Sequence, residues 1–274
     1  MKKLLFLLCV VVAGSMFYSC EKDNLEGPDA IFAGELRDRK TGELIQQEIS
    51  DGSRVYFIEQ GWGDNPPVQN MVVKKDGTFY NGMIFSGDYK IILNRGNYVP
   101  LDTLDMKIKP GKNYQVFEVN PYLRIIEPEI SVIGRKVVAK FKLEQVTSNE
   151  VYRISLFAHS HIDVSNKLNI VNRTEELNRS ITDGEAFELS INLEDYTSTL
   201  VPGKSYYFRI GAQSHGSETK YNYSASVQKK RMSAANLYDA TFYRQFYRSD
   251  RNRPHTRTQY ISVDRHNHRQ PIDR

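Results

Sequence analysis

The octapeptide Lys136-Val137-Val138-Ala139-Lys140-Phe141-Lys142-Leu143 decides the fold. Val137, Ala139, Phe141 and Leu143 recur at every second residue, so an extended chain places them on one face, with lysines largely on the other. Only Val138 blurs the alternation. Segments 54–59, 89–93, 114–119, 151–157, 187–193 and 206–212 repeat the theme with Val, Ile, Phe and Tyr, separated by Gly, Asp, Asn and Pro. Nothing from 25 to 227 sustains a 3.6-residue apolar period over three turns. Many short strands with turn residues between them predict an all-β chain of two tandem β-sandwich domains.

Composition narrows the function. Of 274 residues, 40% are hydrophobic and 26% charged, enough apolar matter to bury a core. The formal charge of +4 is unevenly spread. Residues 228–274 carry eleven Lys/Arg against four Asp, and Lys2 and Lys3 precede the folding part, so the body is net acidic. Nucleic acid is therefore not an expected partner. Cys9 and Cys20 are the only cysteines, which leaves the body without a disulfide, a thiolate metal site or a catalytic thiol.

Lys2-Lys3 followed by apolar Leu4 to Ala13 reads as a secretory leader over 1–19. The apolar run ends near Phe17, short of the ~20 residues of a spanning helix. Its end, Phe17-Tyr18-Ser19-Cys20, resembles the lipobox of bacterial lipoproteins, which implies lipidation of Cys20; the bland alternative is a free Cys in an ordinary leader. Glu21-Lys22-Asp23-Asn24 resembles the surface-export signal of Bacteroidetes lipoproteins. Residues 20–28 are then a tether, and the implied location is the outer membrane, lipid-anchored and facing outward.

The first sandwich is expected over 29–124. Gly34-Glu35-Leu36-Arg37-Asp38, the turn before Glu43-Leu44-Ile45, the Asp76-Gly77 turn and Gly87-Asp88-Tyr89 follow an order that resembles the transthyretin-like, carboxypeptidase-regulatory sandwich. More closely, the run through Asn97-Tyr98-Val99-Pro100-Leu101-Asp102-Thr103 to Asn120-Pro121-Tyr122-Leu123-Arg124 resembles the Bacteroidetes lipoprotein family catalogued as domain of unknown function 3823. The second sandwich is expected over 129–228. Its Leu200-Val201-Pro202-Gly203-Lys204-Ser205-Tyr206 resembles the tyrosine corner of immunoglobulin/fibronectin-III-like domains, with Tyr206 as the corner residue. The boundary is placed near 124–128. Residues 229–274 read as a disordered basic tail, or as the product of a shifted frame.

Enzyme chemistry finds little footing. Ala212-x-Ser214-x-Gly216 has the outline of a nucleophile elbow, but that elbow needs a strand-to-helix turn. His159 and His161, with Asp163 near and His215 within reach of a neighbouring loop, have metal-compatible spacing, yet read more simply as exposed polar positions. No phosphate loop or metal-binding motif is present. The expectation is a non-enzyme with no metal and no cofactor.

Aromatic surface remains. Tyr, at 17, outnumbers Phe and Trp. Rings that carry a polar tip suit the C–H faces and hydroxyls of sugars. The loop Gln60-Gly61-Trp62-Gly63-Asp64-Asn65-Pro66-Pro67 holds the single Trp, so Trp62, Asp64 and Asn65 are candidate ligand-binding residues; alternatively Trp62 caps the core edge. Tyr80 and Tyr98 are further candidates. Asp102-Thr103-Leu104 resembles the O-glycosylation site of this bacterial group, with Thr103 as acceptor. The family resemblance implies an accessory to polysaccharide uptake, with a poly- or oligosaccharide, an outer-membrane TonB-dependent porin and a glycan-binding lipoprotein as partners and the membrane engaged through the lipid. The alternative is an adhesion or protein-interaction module that binds no sugar.

Overall fold

The computed structural model describes residues 26–61 and 63–231. Two β-sandwiches follow one another, with no α-helix among the described residues. The first contains β1 (Ala30–Asp38), β2 (Arg54–Glu59), β3 (Val68–Val72), β4 (Thr78–Ile84), β5 (Gly87–Ile92), β6 (Leu104–Ile108) and β7 (Gly111–Val119). Its sheets run β4-β1-β7 and β3-β2-β5-β6. β1 pairs antiparallel with β4 and parallel with β7, from Ala30↔Gly111 to Asp38↔Val119. Alternation buries Phe32, Leu36, Phe79 and Phe117 from one sheet against Val55, Phe57, Tyr89 and Ile91 from the other. The Asp76-Gly77 turn, with Gly77 at φ 87°, hands the chain from one sheet to the other.

The second sandwich contains β8 (Leu123–Ile133), β9 (Lys136–Gln145), β10 (Val151–His159), β11 (Val171–Arg179), β12 (Glu185–Asn192), β13 (Ser205–Ser214), β14 (Asn222–Tyr223) and β15 (Val227–Lys230). One sheet is β12-β9-β8; the other is β11-β10-β13, with β14 and β15 also paired to β13. Val137, Ala139, Phe141 and Leu143 are all buried, and so is Val138 on the opposite pleat. The Tyr206 hydroxyl accepts from Val201 N at 2.8 Å and donates to Thr199 O at 3.2 Å. Tyr206→Phe strands that amide and carbonyl at the loop corner. The expected loss is about 1–2 kcal/mol, read as a lowered urea midpoint at unchanged slope.

Two expectations are corrected. Residues 124–128 are no linker: they lie inside β8, where Glu127 (φ 50°) and Pro128 form a bulge between the register pairs Ile126↔Lys142 and Glu129↔Lys140. A proline in a charged stretch looks like a boundary in sequence, but a bulge accommodates its missing N–H. The basic tail also does not begin at 229. β15 pairs with Ser205–Phe208 as far as Lys230, and Arg231 is buried with its guanidinium on Leu200 O. Gln228 and Lys230 are exposed, Val227 and Lys229 half-buried, while the backbone completes the sheet.

The sandwiches meet through buried polar groups. Asn97 donates to Gln46 O (2.9 Å) and Tyr221 O (3.1 Å), and its own carbonyl accepts from Asn222 (2.8 Å). Glu48 accepts from the Tyr223 hydroxyl (2.6 Å), Lys167 N (2.8 Å) and Ser165 Oγ (3.2 Å). Arg209 is fully buried, donates to Ser224 O (2.8 Å) and Gln47 O (2.9 Å), and lies over the Tyr223 ring. Burial pushes its guanidinium down to about 10. The two sandwiches, as far as Arg231, therefore form one compact unit among the described residues.

At the margin of this junction, Arg124 bridges Asp38 (2.5 Å) and Glu144 (2.7 Å). Burial pushes the Asp38 carboxyl up, but the Arg124 and Lys40 N–H hydrogen bonds outweigh it and leave it below its usual value. Lys40 foremost, then Arg124, lowers Glu144 in the same direction. A depressed carboxylate contributes stability above its unfolded value and loses it as pH falls through the folded one. Arg124→Met is thus expected to flatten the decline in urea midpoint between pH 5 and pH 3.

Candidate functional site

In β7 the core takes Phe117 and Val119, so the pleat sends Lys112, Tyr114, Val116 and Glu118 outward. On β1 the outward set is Ile31, Ala33, Glu35 and Arg37. Register then fixes a row across three strands: Ala33 pairs with Tyr80 on β4 and with Tyr114 on β7. Neighbouring strands lie ~4.8 Å apart, which puts the two tyrosine Cα atoms ~10 Å from each other with a methyl group between them. Tyr80 is 56% exposed and Tyr114 64% exposed.

Both rings are oriented by their surroundings. A Cβ added at Gly82 would meet the Tyr80 hydroxyl at 2.8 Å and its Cε1 at 3.2 Å, so the missing side chain lets Tyr80 lie along its own strand. Glu35 beside the Tyr114 hydroxyl pushes the phenol up. Glu35 also accepts from Arg37 Nε at 2.5 Å, and that bond foremost holds its carboxyl below the usual range. Arg37 is anchored in turn on Gly42 O at 2.6 Å. The result is a flat strip with two aromatic faces, a small floor, and a carboxylate and guanidinium at its side. Such a strip can stack on the apolar face of a ring while its polar margin bonds hydroxyls.

The sequence-derived candidates divide. Tyr80 lies on this strip. Asp64 and Asn65 are exposed in the β2–β3 loop, at the end of the first sandwich opposite the junction. Cys20 and Trp62 lie outside the described residues. Thr103 is exposed just ahead of β6. Tyr98 is corrected from surface to core: it is 1% exposed, bridges to Pro121 and packs at the junction, where burial pushes its phenol well up. The sequence reading placed Tyr114 in a strand and gave it no role, although its parity with Phe117 and Val119 already set its face.

The other constellations are spoken for. The Ser214 hydroxyl is buried and donates to Asn149 O and Glu150 O. His159 Nδ1 accepts from His161 N, and His161 contacts Asp163 at 3.4 Å. His215 bonds Asn178 and packs on Tyr152. Among the described residues no group of three or more His, Cys, Asp or Glu converges as a metal site. A cleft of about 720 Å³ opens at the junction beside Leu44, Ile125, Ile126 and Tyr223. Its one aromatic ring is already committed to Glu48 and Arg209.

Comparison with known proteins places the fold. A crystal structure from Bacteroides uniformis, described as "a putative carbohydrate binding protein", is 29% identical, spans 74% of this chain and all of its own, and superposes with a TM-score of 0.69. A DUF3823 family protein from Parabacteroides merdae is 20% identical, spans 75% of this chain and all of its own, and gives a TM-score of 0.65. A second B. uniformis protein of that family, 19% identical over 74% of this chain and all of its own, gives 0.64. No curated protein matches. The family model "Protein of unknown function (DUF3823) N-terminal domain" matches residues 30–120, and "Domain of unknown function (DUF3823_C)" matches residues 123–228. With both halves matched in order, the chain belongs to the DUF3823 family.

Proposed function

We propose that this chain is a lipid-anchored protein of the outer membrane, facing outward, that holds a polysaccharide for a TonB-dependent uptake system without acting on it chemically. The exposed Tyr80–Ala33–Tyr114 row carries the reading. The B. uniformis relative supports it through its description, and the lipobox at Cys20 supports the anchor. Affinity at a single strip is modest, and many anchored copies would act together on one polymer.

The test is affinity electrophoresis of the soluble form beginning at Glu21 against a panel of polysaccharides. Tyr80→Ala and Tyr114→Ala are each expected to weaken retardation about 10- to 30-fold, the effect of removing a central aromatic contact. Trp62→Ala separates the strip from the β2–β3 loop as the binding surface. If no glycan retards the protein, or the double tyrosine variant migrates like the parent, the reading is wrong.

A further inference from the structure

The sheets of the first sandwich end in open edges, and these edges are not alike. β3 and β6 are five residues each. β4 is interrupted: its pairing with β1 slips between Ala30 and Phe32, and Asn81 Oδ1 takes Met83 N at 2.9 Å. β7 runs for nine residues with no proline and no register shift, and among the described residues it pairs with β1 alone. A long regular edge of this kind is a template for another strand.

The hydrogen-bond phase of that edge is fixed. Gly111 N donates to Asp29 O and Val119 O accepts from Arg39 N, both at 2.9 Å. Odd-numbered residues of β7 therefore turn their backbone toward β1, and Lys112, Tyr114, Val116 and Glu118 turn theirs to the open side. Two of those carbonyls have side-chain donors in place of a strand: Gln115 Nε2 on Val116 O at 2.8 Å and Arg39 Nη2 on Glu118 O at 3.4 Å. The same residues carry exposed side chains on the outer face.

Taken in reverse, this series matches itself. An antiparallel copy centred on Gln115 brings Lys112 opposite Glu118 and Tyr114 opposite Val116, and each match recurs by symmetry. All are hydrogen-bonded pairs with side chains on one face, opposite in charge at both ends and aromatic on β-branched in the middle. A slip of one residue sets outward backbone against inward, and a slip of two breaks both charge pairs.

We propose that two copies of this chain pair through β7, antiparallel about Gln115, and join their β4-β1-β7 sheets into one. The two-fold axis stands normal to the sheet, so both tyrosine rows lie on the same face and both amino-terminal ends at the same height. The assembly depends on neither a sugar nor the lipid anchor.

The test is sedimentation of the soluble form beginning at Glu21, at low ionic strength, where exposed charge pairs are least screened. The parent is expected to sediment as a dimer. Lys112→Glu sets like charges opposite each other at both ends, as does Glu118→Lys, and each is expected to weaken self-association about 10- to 30-fold. Mixing the two variants restores opposite charges, so the mixture is expected to form a heterodimer about as tight as the parent dimer. Val116→Pro removes an N–H that faces the open side and leaves the β1 ladder whole, so it should give a monomer with the parent's circular dichroism. A parent that stays monomeric throughout a concentration series overturns the proposal. So does a dimer indifferent to both charge variants or to the proline, or a mixture that stays unpaired, because the chain then associates through another surface or register.

Discussion

Glu48→Ala is expected to destabilise the described body by about 3–5 kcal/mol, the range for removing one partner from a buried charged cluster. The loss has two parts. The Tyr223 hydroxyl and Ser165 Oγ lose a buried acceptor, and Lys167 N loses a half-buried one. Arg209, fully buried over Tyr223, also loses a negative neighbour that favours its charged form. Urea melts followed by tyrosine fluorescence should show the whole shift. Glu48→Gln keeps acceptor oxygen at that place and should cost clearly less. Arg209→Met leaves Glu48 without its cation and the Ser224 and Gln47 carbonyls without their donor, so it should cost about as much as the alanine variant. If the alanine variant melts within 1 kcal/mol of the parent, the polar junction does not hold the two sandwiches together in solution.

Gly34→Ala is expected to cost about 3 kcal/mol, at the upper end for overpacking. Gly34 is the point where β1 passes closest to both its neighbour and the core. A Cβ there falls inside contact distance of the Gln115 carbonyl oxygen and 2.5 Å from Phe79 Cζ. The phenyl ring can turn, but the carbonyl belongs to the β1–β7 ladder and cannot move without breaking register. Phe79→Leu in the Gly34→Ala background should therefore leave most of the loss in place. Full recovery by that second change would show the ring, and not the ladder, to be the obstacle.

Periodicity carried the sequence reading a long way, and its failures share one cause. Alternation in β9 names the buried face correctly because a pleat allows only two directions. The same parity in β7 sends Tyr114 outward, so half of the candidate strip was readable from residues 112–119. Periodicity does not say what covers the second face. Arg209 alternates with Phe208 and Ile210 and thus reads as a solvent-side residue, yet the first sandwich covers it. Tyr98 was misjudged the same way: it precedes a proline in a loop, and the loop is the junction. Gln47, Glu48 and Asn97 carry no local mark at all, since a buried polar side chain resembles an exposed one until its distant partner is known. The spacing from Leu200 to Tyr206 belongs to the opposite category, because the hydroxyl needs only backbone groups of its own loop.

The parallel alignment of β1 with β7 has a mechanical consequence. Tension arriving at the amino-terminal end pulls β1 toward Ala30, while a load held by the second sandwich pulls β7 away through Val119, in the opposite sense. The nine register pairs between them are then strained together in shear, not opened one after another like a zipper. A pull on the second sandwich meets the first along its strongest axis.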